Sequence, residues 1–151
     1  IIKVETAEEM FQATLNNLPA DVAIFSAAVS DYKIKETSKI KIKKQDKLNL
    51  ELEKNVDILN YVSNHNSLRP KLVIGFAAET NNLADYANKK LSEKNCDWIV
   101  ANDVSNKKIG FESDFNEVSI FYKNKKTDKI KFRPKSEISD ELVEKIINHL
   151  N

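Results

Sequence analysis

Glycine, cysteine and arginine are scarce in this chain, and each scarcity closes off a class of function. Two glycines, Gly75 and Gly110, stand in 151 residues, so neither a G-x-G-x-x-G fingerprint nor a Walker phosphate loop can be written in it. Cys96 is the single cysteine; no intrachain disulfide is possible, and an intracellular, cytoplasmic setting is expected. Arg69 and Arg133 are the only arginines beside abundant lysine, a bias that AT-rich coding produces and that discounts lysine runs as functional signals. No apolar stretch approaches the roughly 18 residues that span a bilayer, and no signal peptide opens the chain, so no membrane partner is expected. Excess charge of one sign is also missing: 24 Lys and Arg face 23 Asp and Glu, for a net charge of +1. A dedicated nucleic-acid binder more often carries a basic excess over its whole domain. No aromatic interleaves the lysines between Lys33 and Lys47. Positive charge here is local, which favours a small anionic ligand.

What is present fits one soluble domain: 41% apolar residues, and a length that buries about two-thirds of the unfolded surface. Ile1-Ile2-Lys3-Val4 reads as a strand with no methionine before it, which suggests a start inside a larger protein. Thr6 and Glu9 form a capping box for a helix from about Ala7 to Leu18, with Met10, Phe11 and Leu15 inward and Pro19 ending it. Val22–Ser26 is almost all apolar, as a strand buried on both faces should be. Lys33–Lys47 has no sustained period and reads as a flexible loop or flap; Leu48, Leu50 and Leu52 then alternate as a half-buried strand. Asn55 is placed to cap a short helix from about Val56 to Ser63. A buried strand over Lys71–Ala77, a helix over about Leu83–Lys94 and a strand over Trp98–Ala101 follow. The βαβα alternation predicts an α/β, Rossmann-like three-layer fold with a mainly parallel sheet. Val118–Tyr122 and Lys129–Phe132, flanking Asn124–Asp128, predict a C-terminal antiparallel hairpin extension. A closing helix from about Ser139 to Leu150 places Leu142, Val143, Ile146, Ile147 and Leu150 on one stripe.

Ala27-Ala28-Val29-Ser30-Asp31-Tyr32 sets a carboxylate at the carboxyl end of the first buried strand, where open α/β sheets bind ligands. Asp31 there can accept from a nucleotide base or sugar or hold a metal through water; as a turn residue it can equally bond its own backbone. Lys41, Lys43 and Lys44 follow, with alternation sending Lys41 and Lys43 to one side. They can neutralise a phosphate chain in phosphoryl or nucleotidyl transfer, or simply solvate a loop. Asn55-Val56-Asp57-Ile58-Leu59 opens a helix whose free N–H groups can meet an anion or a base edge, although most helix starts meet water. Lys90 and Lys94 share a helix face near its C-terminus, where they also suit the helix dipole without any function. Gly75-Phe76-Ala77 at a strand end leaves room for a ligand, with Phe76 offering a ring face, or allows close helix–strand packing. Ala101-Asn102-Asp103 closes the next strand in the same way. His65, His149 and Cys96 have no partners at metal-ligand or triad spacing.

Taken in order, AAVSDY (27–32), KIKKQ (41–45), LELEKNVDIL (50–59), VIGFAAETNN (73–82), the helix with Lys90 and Lys94, DWIVANDV (97–104) and GFESDFNEV (110–118) resemble phosphopantothenoylcysteine synthetase. That family is also called phosphopantothenate–cysteine ligase, and the chain resembles its bacterial CTP-dependent type, the C-terminal part of the bifunctional coenzyme A biosynthesis flavoprotein. The resemblance covers essentially the whole chain, 1–151, and lacks the family's N-terminal segment. It implies a ligase that activates the carboxylate of 4′-phosphopantothenate with CTP, releasing pyrophosphate. Cysteine then attacks the acyl-cytidylate and CMP leaves.

Carried over residue by residue, the resemblance implies that Asp31 meets the cytidine sugar or its metal surroundings and that Lys41 neutralises the triphosphate as the catalytic cation. It implies that Val56, Asp57, Ile58 and Leu59 read the cytosine edge and that Phe76 packs on the nucleotide. Lys90 and Lys94 would meet phosphates or ribose; Lys43, Lys44, Asn55, Ala28 and Asn102 stand as secondary candidates. Mg²⁺ is expected with the triphosphate, FMN only if a decarboxylase is fused upstream, and a homodimer as the assembly. Without the family's amino-terminal segment, the isolated chain is expected to turn over poorly. The competing readings are the same ligation with ATP, a non-catalytic nucleotide-binding module, a lysine-flap nucleic-acid binder with a steep salt dependence, and a Rossmann oxidoreductase fragment.

Overall fold

The computed structural model describes residues 1–36, 38, 40–44, 46–105 and 113–151. Five strands form one sheet in the order β1 (Val22–Phe25), β4 (Leu72–Glu79), β5 (Trp98–Asp103), β6 (Phe115–Tyr122), β7 (Thr127–Pro134). The first three are parallel, with Phe25 beside Gly75 and Gly75 beside Ile99. β6 and β7 add antiparallel, β6 beside β5. A separate two-stranded ribbon pairs β2 (Tyr32–Ile34) with β3 (Leu52–Lys54). This is the expected three-layer α/β fold with its antiparallel extension.

Alternation along the strands divides the core in two. Val73, Ala77, Ile99, Ala101 and Phe121 face α2 (Ile58–Ser63) and α3 (Leu83–Lys94) and close on Leu59, Ala87 and Leu91. Leu72, Ile74, Trp98, Val100, Ile120 and Ile130 face α4 (Lys135–Leu150), meeting Ile138 and Ile146. The central strands are apolar at consecutive positions because both faces are covered. Helix α1 (Ala7–Leu15) lies beside α2, where Phe11 meets Tyr61 edge-on at 4.9 Å. Among the described residues no helix is long and apolar enough to cross a membrane.

Several expected elements shift for identifiable reasons. Ile1–Val4 forms no strand: it has no partner among the described residues, and Ile1 and Ile2 are exposed. The capping box on α1 is present, but the helix ends at Leu15, before Pro19. β1 is an edge strand, so Ile24 stays half exposed instead of buried. The cap of α2 is Asp57, whose carboxylate accepts from the Asn60 N–H at 2.9 Å; Asn55 is occupied elsewhere. Strand pairing in the leucine-rich stretch begins only at Leu52, and Leu48, Leu50 and Leu52 are exposed. Helix α4 begins at Lys135, four residues early; its stripe splits, with Leu142 and Ile146 inward and Val143, Ile147 and Leu150 largely exposed.

Candidate functional site

A cleft of about 410 Å³ opens beyond the carboxyl end of β1. Its walls come from five parts of the chain: Met10 and Thr14 of α1, the end of β1 with the turn that follows it up to Asp31, the segment Asn55–Leu59 that starts α2, Phe76 of β4, and Lys90 and Lys94 of α3. The strands of the main sheet follow one another in chain order. Among the described residues the strand order therefore has no reversal, and the cleft sits beside β1.

Each wall has a local cause. The turn after β1 is braced by Ser30, whose hydroxyl donates to the Tyr32 carbonyl at 2.8 Å and accepts from the Tyr32 N–H. Asn55 ties that turn to the start of α2. Its N–H donates to the Asp31 carbonyl at 2.9 Å, and its side-chain amide donates to the Ser30 carbonyl at 2.8 Å. Gly75 lets α2 press onto the sheet: a Cβ there would stand 2.6 Å from Leu59 Cδ2 and 2.9 Å from Ile99 Cδ1. Of its two readings, close helix–strand packing is the one realised. Far from the opening, Arg69 anchors α2 to the sheet. Its Nε donates to the Ser63 carbonyl at 2.7 Å and its Nη2 pairs with Asp97 at 2.9 Å, while Asp97 also accepts from the Val73 N–H.

One of the two cleft lysines is paired with a cleft carboxylate. Lys94 Nζ donates to Asp57 Oδ2 in a close ion pair, so Asp57 caps α2 with one oxygen and holds a lysine with the other. This hydrogen bond raises the Lys94 pKa above 10.5; burial opposes the shift, and the charges of Asp57, Asp31 and Glu93 reinforce it. Lys90, one turn earlier on the same face, donates to the Phe76 carbonyl at 2.9 Å. The cleft thus brings two ammoniums and two carboxylates to one mouth.

Asp31, Asn55, Val56, Asp57, Ile58, Leu59, Phe76, Lys90 and Lys94 converge as walls of the cleft. Phe76 differs in detail from expectation. Its side chain packs on the α4-side core, and its carbonyl is what Lys90 engages. Lys41, Lys43 and Lys44 do not line the cleft; they are exposed on the loop joining β2 to β3. Ala28 and Asn102 also lie outside the lining. Gly110 of the GFESDFNEV segment, and Gln45, fall outside the described residues. Met10, expected to face inward, and Thr14, four residues on and on the same helix face, are cleft residues that the sequence reading did not assign to a site. The Arg69–Asp97 brace was also unforeseen, since its partners lie far apart in sequence.

Residues 1–150 match the family model described as DNA/pantothenate metabolism flavoprotein C-terminal domain. The chain belongs to that family. Among its relatives is the coenzyme A biosynthesis bifunctional protein CoaBC of Haemophilus influenzae, 42% identical over 97% of this chain and 36% of that protein. CoaBC of Bacillus subtilis is 40% identical over 96% of the chain and 36% of its own length. The chain therefore spans about a third of these relatives. A crystal structure of the C-terminal domain of CoaBC superposes with a TM-score of 0.75 at 34% identity, covering 99% of this chain and 65% of that one. The flavoprotein-domain family thus supplies a solved relative with the same architecture.

Proposed function

We propose that this flavoprotein C-terminal domain holds the nucleotide in a phosphopantothenate–cysteine ligase. In this reading CTP activates 4′-phosphopantothenate, and cysteine takes the acyl group. The observation that carries the proposal is the convergence of Asp31, the Asn55–Leu59 helix start, Lys90 and Lys94 on one cleft at the end of β1. That donor set suits a nucleotide. Backbone groups and Asp57 at the start of α2 can read a base edge, Asp31 can accept from a ribose hydroxyl, and the lysines can meet phosphates. Lys94 would exchange its Asp57 partner for a phosphate oxygen, so binding would replace one ion pair by another rather than strip a bare charge.

The chemistry divides between the cleft and the hairpin. A substrate carboxylate oxygen attacks the α-phosphorus, and the bond to the bridging oxygen of pyrophosphate breaks. Negative charge grows on the departing group, and positioned cations stabilise it. Lys41 belongs to the β2–β3 hairpin, whose root meets the cleft wall through Asn55 and Asp31, and in this reading it would supply such a cation. The cysteine amine then attacks the acyl carbon and CMP leaves. Among the described residues, no three His, Cys, Asp or Glu side chains converge to cage a metal ion. Mg²⁺ would arrive on the triphosphate, where its chemistry is charge neutralisation of the phosphates. Asp31 and Asp57 are the carboxylates available beside it.

The ribbon offers a reason for pairing of two copies. Tyr32, Ile34, Leu50 and Leu52 are all exposed, whereas Lys33 and Lys35 pair with Glu53 and Glu51 across the strands. An isolated two-stranded ribbon is marginal in water, and covering this apolar side with the same ribbon of a second copy would stabilise both.

Calorimetric titration with Mg–CTP and Mg–ATP, on the wild type and on Lys41→Ala and Lys94→Ala, tests the nucleotide reading. CTP binding well above ATP, weakened in both variants, is expected. Equal binding would move the assignment to an ATP-using ligase, and no binding of either nucleotide to the full-length protein would overturn it.

A further inference from the structure

The β2–β3 hairpin carries the loop lysines, yet little in its own structure fixes where they point. Both strands are exposed at every position. Its ion pairs, Lys33 to Glu53 at 3.4 Å and Lys35 to Glu51 at 3.1 Å, join the strands to each other. What joins the hairpin's root to the cleft is Asn55. The backbone N–H of Asn55 donates to the Asp31 carbonyl at 2.9 Å, which is the last rung of the ribbon. Its side-chain amide donates to the Ser30 carbonyl at 2.8 Å, one residue further into the cleft wall. Ser30 is itself fixed by its hydroxyl on Tyr32. Two residues beyond Asn55 stands Asp57, the cap of α2 and partner of Lys94. One residue, through its side chain and its backbone N–H, therefore holds the turn after β1 to the segment that leads from the returning strand into α2.

We infer that Asn55 is a positioning residue: its side-chain amide sets the angle at which the hairpin leaves the cleft, and so places Lys41 against the bound triphosphate. The inference rests on the nucleotide-ligase reading above. Without the side-chain bond the root keeps a single backbone hydrogen bond, about which a ribbon can pivot. Lysine at the end of a lever some residues long is then misplaced, and misplacement of an ångström at a reacting group costs far more in rate than in binding. The donor is what matters: aspartate has the shape of asparagine but would present an oxygen to the Ser30 carbonyl.

The test uses the full-length protein, with steady-state ligase kinetics and thermal melting for Asn55→Ala, Asn55→Asp, Lys41→Ala and the double variant Asn55→Ala/Lys41→Ala. Both Asn55 variants are expected to lose about tenfold in kcat, with the nucleotide KM rising by no more than it does in Lys41→Ala. Their melting midpoints should fall by no more than about 4 °C. In the Lys41→Ala background, Asn55→Ala should remove little further activity, because both changes act on one interaction. Wild-type kcat in either Asn55 variant would overturn the inference, as would an undiminished tenfold loss on top of Lys41→Ala. So would a kcat that falls only in step with a larger loss of melting temperature. If Lys41→Ala alone keeps wild-type kinetics, the role proposed for Lys41 fails, and the inference fails with it. If Lys41→Ala is crippled while Asn55→Ala is not, only the inference fails.

Discussion

Replacing Gly75 by alanine tests whether the cleft floor is set by packing between α2 and the sheet. The new methyl would stand 2.6 Å from Leu59 Cδ2 and 2.9 Å from Ile99 Cδ1, well inside contact distance. Both neighbours are side-chain ends, so relief depends on where they can go. Ile99 is fully buried and has no free direction, while Leu59 is 9% exposed and borders the cleft. Leu59 must therefore move, and the open side is the cleft. Overpacking of this kind costs about 1–3 kcal/mol. Alanine recovers about 0.4–1 kcal/mol by restricting the unfolded chain. The expected net loss is about 1–2 kcal/mol, or about 2–8 °C in melting temperature for a chain of this size. Urea unfolding of Gly75→Ala, Leu59→Val and the double variant reads it directly. Leu59→Val shortens the clashing side chain, so the double variant should be less destabilised than the sum of the singles by about 1 kcal/mol. Wild-type stability in Gly75→Ala, or strict additivity in the double variant, would refute the packing argument. Nucleotide titration of the same proteins should show weaker binding in Gly75→Ala, recovered in part by Leu59→Val.

Cys96 is fully buried, and burial pushes its thiol up to about 11; a water-soluble disulfide reagent at pH 8 should leave it unmodified until denaturant is added, and rapid labelling of the native protein would contradict this. The hydrogen bonds from Lys145 and then Tyr122 hold the Asp128 carboxyl below its usual 3.8. A lowered folded pKa gives stability that is present above 3.8 and lost as pH falls through the folded value. Asp128→Asn should therefore flatten the acid limb of the stability profile below about pH 4, and an unchanged limb in urea titrations would contradict it. Lys94 has the opposite sign: its pKa is raised above 10.5, so its contribution is present below that value and lost as pH rises through the folded one. Lys94→Met should flatten the alkaline limb, and a limb as steep as the wild type's would count against the Asp57 pairing. If two copies pair through the ribbon as proposed, Leu52→Lys, which places a charge on its exposed apolar side, should sediment as a smaller species than the wild type with the fold intact by circular dichroism; identical sedimentation of the two proteins would remove the ribbon from any such contact.

Most of the fold could be read from the chain because its central elements carry capping and apolar signatures that agree. The helix Leu83–Lys94 matches its expected bounds, and Thr6 with Glu9 makes the capping box that their spacing predicts. β4 and β5 read as buried strands because Leu72–Ala77 and Trp98–Ala101 are apolar at successive positions and are covered on both faces. The same signature misleads at β1. Val22–Phe25 is just as apolar, yet it lies at the sheet edge with Ile24 open. An apolar strand reports that a cover is needed, and says nothing of whether the cover belongs to the same stretch of chain. Leu48, Leu50 and Leu52 mislead in the same way: their alternation is real, and the side it marks faces outward here.

The site divides along a similar line. Asp31, Asn55 and Asp57, Lys90 and Lys94 lie on three segments whose convergence follows from topology once β1 and β4 are parallel neighbours. What the sequence could not separate was two neighbouring polar residues at the start of α2. Asn55 is as good a helix cap as Asp57 by residue type, and the choice between them depends on which one finds a second partner. Asp57 has Lys94 waiting on α3, one helix away, so capping with its other oxygen satisfies both groups at once. Asn55 has the Ser30 carbonyl, 25 positions earlier, which would otherwise lack that donor. Each choice is made by a long-range contact, and each frees the other residue for its own task. A helix cap that also holds a cleft lysine leaves the asparagine two residues earlier to hold the hairpin, so the start of α2 and the root of the lysine-bearing arm are fixed by residues almost side by side in the chain.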